Sequence, residues 1–481
     1  MAPISPLSTR SPLQMAIPPI ARATSAPPAM TPASTIVTLS TAAHAAANSV
    51  RGQGSNAGMA FKPALDTVIA ALKSNAPLSL ERPQPPDDAD QRFSLNVITA
   101  SGARFDLTLS AGDEGVQVLF GANSALRDDE RQAMAQLAQG FQRAVDGMTA
   151  VPPRVLLAEL AGLAGGVLKS VDVQATVRLP TIPPATQSMD FHADAMQRSV
   201  QLDGPAGKVA LSVDTSMIAQ LGAPQQQERA IDNYLAQVDQ AAARGHGDAA
   251  LVALFKDAFA DLARTQDAEP SARAAPAVAR TAAWPLSAQE QAVLTGLPDF
   301  SASMTQAPQR NNPVRAGEVT GFNYALSQQT SSGGLTHDSR SLAQTQQSTL
   351  TAQFHQPLRA GAALAFDYAS DSQNYTYHQI ADEARSDVRL GYRDGRLQDA
   401  SLIQTASQSE RVERYVQGRR VADDTTTSGH QLLRNLLAGL TEVDGASGAT
   451  DRQRALGPLG NHVLLTGDPQ ALAARDAALR V

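Results

Sequence analysis

Asp66 is the first acid in the chain: serine, threonine, proline and alanine fill nearly all of the 65 residues before it. Segments such as Ile4-Ser5-Pro6-Leu7-Ser8-Thr9 and Ala26-Pro27-Pro28-Ala29-Met30-Thr31-Pro32 have neither the hydrophobic periodicity nor the bulk to build a core. Residues 1–57 therefore read as a disordered tail, and any fold has to come from residue 58 onward. Two purposes fit such a tail: a loose segment, or the mobile, acid-poor signal of a type III secretion substrate.

The rest of the composition bounds the function more than it defines it. A chain of 481 residues accommodates two or three domains. Aromatics make up only 4% and Trp284 is the sole tryptophan, so the cores are expected to be aliphatic and alanine-rich. Lysine is confined to Lys62, Lys73, Lys169, Lys208 and Lys256, with arginine carrying the other positive charges, a balance expected of a GC-rich bacterial genome. The net charge of -7 argues against a nucleic-acid partner, which needs positive charge to displace phosphate counterions. With no cysteine, the chain has no disulfide, no Cys-ligated zinc, no iron–sulfur cluster and no thiol catalysis. The longest apolar run, Val155 to Leu168, is too short to span a bilayer and carries Glu159. No secretory signal peptide is legible, so the expected location is the cytoplasm, or alternatively outside the cell without a cleavable signal peptide.

Periodicity divides the chain into an α+β domain over 58–265, a linker over 266–315, a strand-rich antiparallel domain over 316–440 and a C-terminal tail over 441–481. In the α+β domain Phe61, Leu65, Val68, Ile69 and Leu72 recur at helical spacing. Phe93, Leu95 and Val97, then Phe105, Leu107 and Leu109, alternate with polar residues around a Ser101-Gly102 turn and predict a hairpin. Val116, Val118 and Phe120 make a third strand. Met134, Leu137, Phe141, Val145 and Met148 then lie on one helix face whose acidic start, Asp128-Asp129-Glu130, suits the helix dipole. A second helix is expected through Leu156, Leu157, Leu160 and Leu163, and a strand over Val171 to Val177. Residues 93–177 resemble an uncharacterised group of proteobacterial proteins in their polar-alternating strand pair, Gly102 to Ser110, and their acidic-start helix, Leu126 to Ala133. The resemblance implies no biochemical activity.

Strands are further predicted at Met189 to Ala193, Val200 to Leu202 and Val209 to Val213, followed by helices through Ile231 to Val238 and Leu251 to Leu262. The 266–315 stretch is expected to hold one short helix, Ser287 to Leu294. In the last third, Leu364-Phe366-Tyr368, a run beginning at Tyr375 and Tyr377, and Val388-Leu390-Tyr392 read as strands, continued by Leu397 to Gln404 and Arg411 to Val416. A helix is expected over Gln431 to Leu440.

Asp190, His192 and Asp194 form the best metal-like constellation, because alternate residues of a strand share a face and would project two carboxylates and an imidazole together. A solvated strand face carries the same residues and is the favoured reading. His246 reads as a turn residue between helices, with Asp248 capping the second. Phosphate-binding and hydrolase motifs are missing from the sequence, and the Arg385–Arg420 stretch reads as cross-strand ion pairs. No cofactor and no catalytic residue are assigned. The expectation is a non-catalytic interaction protein with a protein partner. The alternatives are an exported protein and an enzyme whose site gathers dispersed polar residues.

Overall fold

The computed structural model describes residues 35–36, 57–74, 89–112, 115–122, 126–163, 166–179, 181–216, 222–264, 286–444 and 459–479. The expected tail falls outside the described residues except for Thr35, Ile36 and Ala57, as do residues 266–285 of the expected linker and 445–458 and 480–481 of the expected C-terminal tail.

Alternation of apolar and polar residues produces one antiparallel sheet. Its strands are β1 (Thr35–Ile36), β2 (Gln91–Thr99), β3 (Arg104–Gly112), β4 (Gly115–Ala122), β5 (Leu168–Leu179), β6 (Ala185–Asp194) and β7 (Gln197–Gly204). They continue as β8 (Gly207–Asp214), β9 (Phe300–Gln306), β10 (Gly321–Gly333), β11 (Ser341–Pro357), β12 (Tyr375–Arg393), β13 (Arg396–Val416) and β14 (Arg419–Asn435). The order across the sheet is β1-β4-β3-β2-β5 and then strictly sequential to β14. One crossover carries the chain from β4 back to β5 through two helices, α1 being Ala57–Lys73 and these being α2 (Asp128–Thr149) and α3 (Ala158–Leu163); the other non-sequential neighbours are β1 and β4. After β5 the strands are neighbours in sequence order, some joined by short turns as antiparallel pairing allows, while a helical segment separates β8 from β9.

One face of the sheet is buried under helices. α4 (Pro224–Gly245) lies over β10 and β11, α5 (Ala249–Ala263) over β7 to β9, and α8 (Pro469–Ala478) over β13 and β14. Between them sit the short α6 (Ala288–Ala292) and α7 (Leu437–Asp444). The helix predicted over Gln431 to Leu440 starts instead at Leu437, because residues up to Asn435 continue pairing with β13. A single apolar cluster runs from Phe61 and Phe93 to Leu436 and Leu472. The α4–α5 turn shows how closely this layer approaches the sheet. A Cβ on Gly245 would lie 2.8 Å from the Phe322 ring and 2.9 Å from the Ala352 methyl, so only glycine fits there. His246 follows with a left-handed φ of 55°, and the Asp248 carboxylate caps α5 by accepting from the Ala250 and Leu251 amides.

The sheet does not pause between the stretches read as separate domains. Phe300, inside the expected linker, pairs with Val213 of β8 and with Gln328 of β10. Buried glutamines on the inner face hold two extended segments as if they were further strands. Gln328 donates to the Leu297 and Pro298 carbonyls. Gln346 donates to the Val463 carbonyl and accepts from the Leu465 amide, while Gln404 donates to the His462 and Leu464 carbonyls. The strand predicted over Leu364 to Tyr368 is a loop instead. Leu364 and Phe366 alternate because they pack onto Tyr375, Tyr377 and Tyr415, which form a small apolar cluster separate from the main core.

Candidate functional site: the open face of the sheet

The face opposite the helices carries the outward residues of each strand, and the register aligns them in rows. Asp172, His192, Ser199, Ser212, Ser301, Ser327, Gln347 and Arg385 are successive cross-strand partners from β5 to β12. The neighbouring row runs Asp190, Gln201, Ala210, Ser303, Ala325, Thr349 and Glu383. Where the side chains are shortest, over β7 to β11, the rows leave a trough of about 610 Å³. No charged residue lines it. Ser199, Gln201, Ser212, Ser301, Ser303, Ser327 and Thr349 hydrogen-bond through their side chains to no other described residue.

The residues singled out from the sequence stand at the rim of this trough. Phe191 and Ala193 are buried, and Asp190, His192 and Asp194 project to the open face. His192 Nδ1 lies 2.6 Å from Asp172 Oδ1, and its Nε2 lies 3.4 Å from Asp194 Oδ2. Burial pushes the His192 pKa down, but the hydrogen bonds and charges of Asp172 and Asp194 outweigh it, so the imidazole titrates above its ordinary value. Among the described residues no group of three or more His, Asp or Glu is placed to hold a metal ion. Both His192 nitrogens face carboxylates, so neither is turned to Ser199, the directly opposed hydroxyl, as a nucleophile–base pair would require. The opposite rim is Arg385, paired to Asp387 at 2.6 Å. The arginines further along neutralise one another's neighbours: Arg411 binds Asp423, and Arg420 binds Glu413 and Asp423.

Further along β11 and β12 the same face bears a buried polar cluster that the sequence did not reveal. Glu318 Oε2 accepts from the Tyr375 hydroxyl at 2.8 Å and lies 3.0 Å from His355 Nε2. Asn312 Nδ2 donates to Gln373 and to the Tyr375 oxygen. Burial, and donation to the Glu318 carboxylate, push the Tyr375 phenol far above its ordinary pKa and keep it protonated. Arg315 stacks over the Tyr415 ring at 4.2 Å. This network fastens the 309–320 and 366–374 loops onto the sheet, and the His355 side chain, 3% exposed, is closed to ligands.

The trough itself was also missed. Serine, threonine and glutamine at every second position form no motif of their own; the signal the sequence does carry is the near absence of charge among Ala210, Ser212, Ser301, Ser303, Ala325 and Ser327. Comparison with known protein families, curated proteins and solved structures finds no match. The chemistry of the face therefore carries the functional reading. Hydroxyls and amides both donate and accept, which suits recognition, and the trough floor contains no acid, base or charged stabiliser.

Proposed function

We propose that this chain is a non-catalytic bacterial interaction protein that binds a protein partner across the open face of its sheet. One observation carries the reading: Ser199, Ser212, Ser301, Ser303, Ser327 and Thr349, on five adjacent strands, line one trough with side-chain donors and acceptors that make no hydrogen bond to another described residue. A solvated sheet face of an ordinary domain is dominated by long charged side chains, as β12 to β14 are here with Arg385, Glu383, Arg411 and Asp423. A floor of short residues admits a partner's backbone and side chains, and its hydroxyls and amides can complete the partner's hydrogen bonds.

Ser303→Arg and Ala325→Arg test it. Both residues project outward in mid-trough, so the fold tolerates them while the floor becomes blocked and charged. Partners captured by the wild-type protein and chemically cross-linked to β7–β11 should be lost from both variants. Capture that is indifferent to both substitutions, or cross-links that map elsewhere, would remove the reading. Turnover that depends on His192 would replace it with the enzymatic alternative.

A further inference from the structure

On the face opposite the trough, the 462–467 segment lies over β11 to β13 and is fastened to them by side chains. Gln346 and Ser386 both donate to the Val463 carbonyl at 2.8 Å, Gln404 donates to the His462 and Leu464 carbonyls, and Gln346 accepts from the Leu465 amide. At the far end the Gly467 amide donates to Gln237 of α4. Lifting this segment breaks none of the sheet's strand pairings, so it is an element with two arrangements, docked and released.

His462 stands where the segment meets two cations. Its Nδ1 lies 2.9 Å from Nη1 of Arg434, on β14. A guanidinium has donors only, so Nδ1 is the acceptor and the docked imidazole is neutral. Arg475 of α8 donates to the Leu464 carbonyl at 3.0 Å and sets a second positive charge near the ring. Burial, with the charges of Arg434 and Arg475 behind it, pushes the His462 pKa below its ordinary value. The charged groups on the other elements around the segment are matched among themselves. Asp476 of α8 lies 3.2 Å from His430 Nε2 of β14, a contact that a ring N–H makes in either protonation state. Asp382 of β12 binds Arg244 of α4 at 2.6 Å, Glu410 of β13 lies 2.8 Å from His378, and Glu290 of α6 binds Arg340 at 2.8 Å.

We propose that residues 462–467 form an acid-released strap: a proton taken up by His462 Nδ1 severs the Arg434 contact, and repulsion from Arg434 and Arg475 lifts the segment off Gln346 and Gln404. In the lifted strap the imidazole has its ordinary affinity for a proton, and in the docked strap a lower one. Docking is therefore strongest above about pH 6.5 and weakens as the pH falls below it. Release uncovers the Gln346 and Gln404 amides, both buried while the strap is docked.

The chain has no cysteine, so one introduced thiol reports on the strap alone. In the full chain carrying Val463→Cys, labelling by a methanethiosulfonate, divided at each pH by the rate for free cysteine, should accelerate about threefold or more between about pH 7.5 and 5.5. Adding His462→Gln keeps an acceptor for Arg434 but leaves nothing to protonate, and the ratio should then be indifferent to pH. In the unsubstituted chain, exchange of the Leu465 amide, corrected for its intrinsic pH dependence, should accelerate over the same range while β7 to β9 stay unchanged. Labelling that ignores pH while His462 is present, an acceleration that persists in His462→Gln, or a Leu465 amide whose protection does not change would each overturn the proposal. None of these readouts involves the trough, so their outcome is independent of whether a partner binds there.

Discussion

Two side chains define what single residues contribute. Glu130, fully buried near the start of α2, accepts from the Arg127 amide at 2.9 Å and contacts its guanidinium at 3.2 Å. Burial raises its pKa, but hydrogen bonds from Ser101, Arg127 and Thr99 together overcome this and hold it at about 2, against 4.5 for a free glutamate. A carboxyl with a depressed native pKa stabilises the fold above its unfolded value and loses that contribution as protonation sets in. Stability supplied by Glu130 is thus complete above pH 4.5 and lost as the pH falls towards 2. Glu130→Gln should cost about 1–3 kcal/mol in urea unfolding at neutral pH, and the deficit should shrink in acid. His192 has the opposite sign: its raised pKa gives stability that is complete below about pH 6.5 and is lost as the pH climbs through the native value. In NMR titration the His192 midpoint should lie above 6.5, and Asp172→Asn should lower it by removing the 2.6 Å contact. A midpoint unmoved by Asp172→Asn would show that the dyad is not electrostatically coupled.

At the scale of elements, the inner-face glutamines do what main-chain pairing does elsewhere. Gln346 is fully buried and serves both the Val463 carbonyl and the Leu465 amide. Gln346→Leu keeps the volume but leaves two buried backbone groups without partners, at about 1–3 kcal/mol for each. Denaturant unfolding should show a lower midpoint with unchanged slope, and 462–467 should become the first protease-sensitive segment of the described C-terminal part. The same residues explain what the sequence concealed. β2 to β8 were legible because at least two consecutive buried positions in each are apolar, as Phe93-Leu95-Val97 of β2 and Val171-Val173-Ala175-Val177 of β5 show, even though β6 and β7 also bury Gln187 and Arg198. In β11 the buried face reads Leu342, Gln344, Gln346, Ser348, Leu350, so a scan for apolar alternation loses the strand at its centre. Leu364-Phe366-Tyr368 misled for the converse reason: its alternation answers to a local aromatic cluster, and Tyr368 is 84% exposed. The projection of Asp190, His192 and Asp194 was readable from period two alone, while Asp172 and Ser199 joined them only through cross-strand register, which no local pattern contains.

At the scale of the whole molecule, one unbroken sheet runs through residues 58–265 and 316–440, so the two stretches are expected to unfold together. β8 is the last strand of the first stretch, and its outer partner, β9, lies beyond the stretch's boundary and itself pairs with β10. α4 belongs to the first stretch by sequence yet packs on β10 and β11, and its Arg244 binds Asp382 of β12 at 2.6 Å. The Tyr234 hydroxyl, at the centre of α4, donates to Gln328 of β10. Cutting the chain at residue 265 would therefore open the β8 edge and strip α4 of the surface that buries Tyr234 and Val238. The expected outcome is one cooperative calorimetric transition for the full chain, with calorimetric and van't Hoff enthalpies in agreement. A fragment ending at residue 265 should be proteolytically labile or aggregate through β8. Two resolved transitions, or a fragment that melts cooperatively at the temperature of the intact protein, would show that the continuous sheet is two folding units joined only by hydrogen bonds. In that case the trough would span a junction able to move, because β7 and β8 would belong to one unit and β10 and β11 to the other.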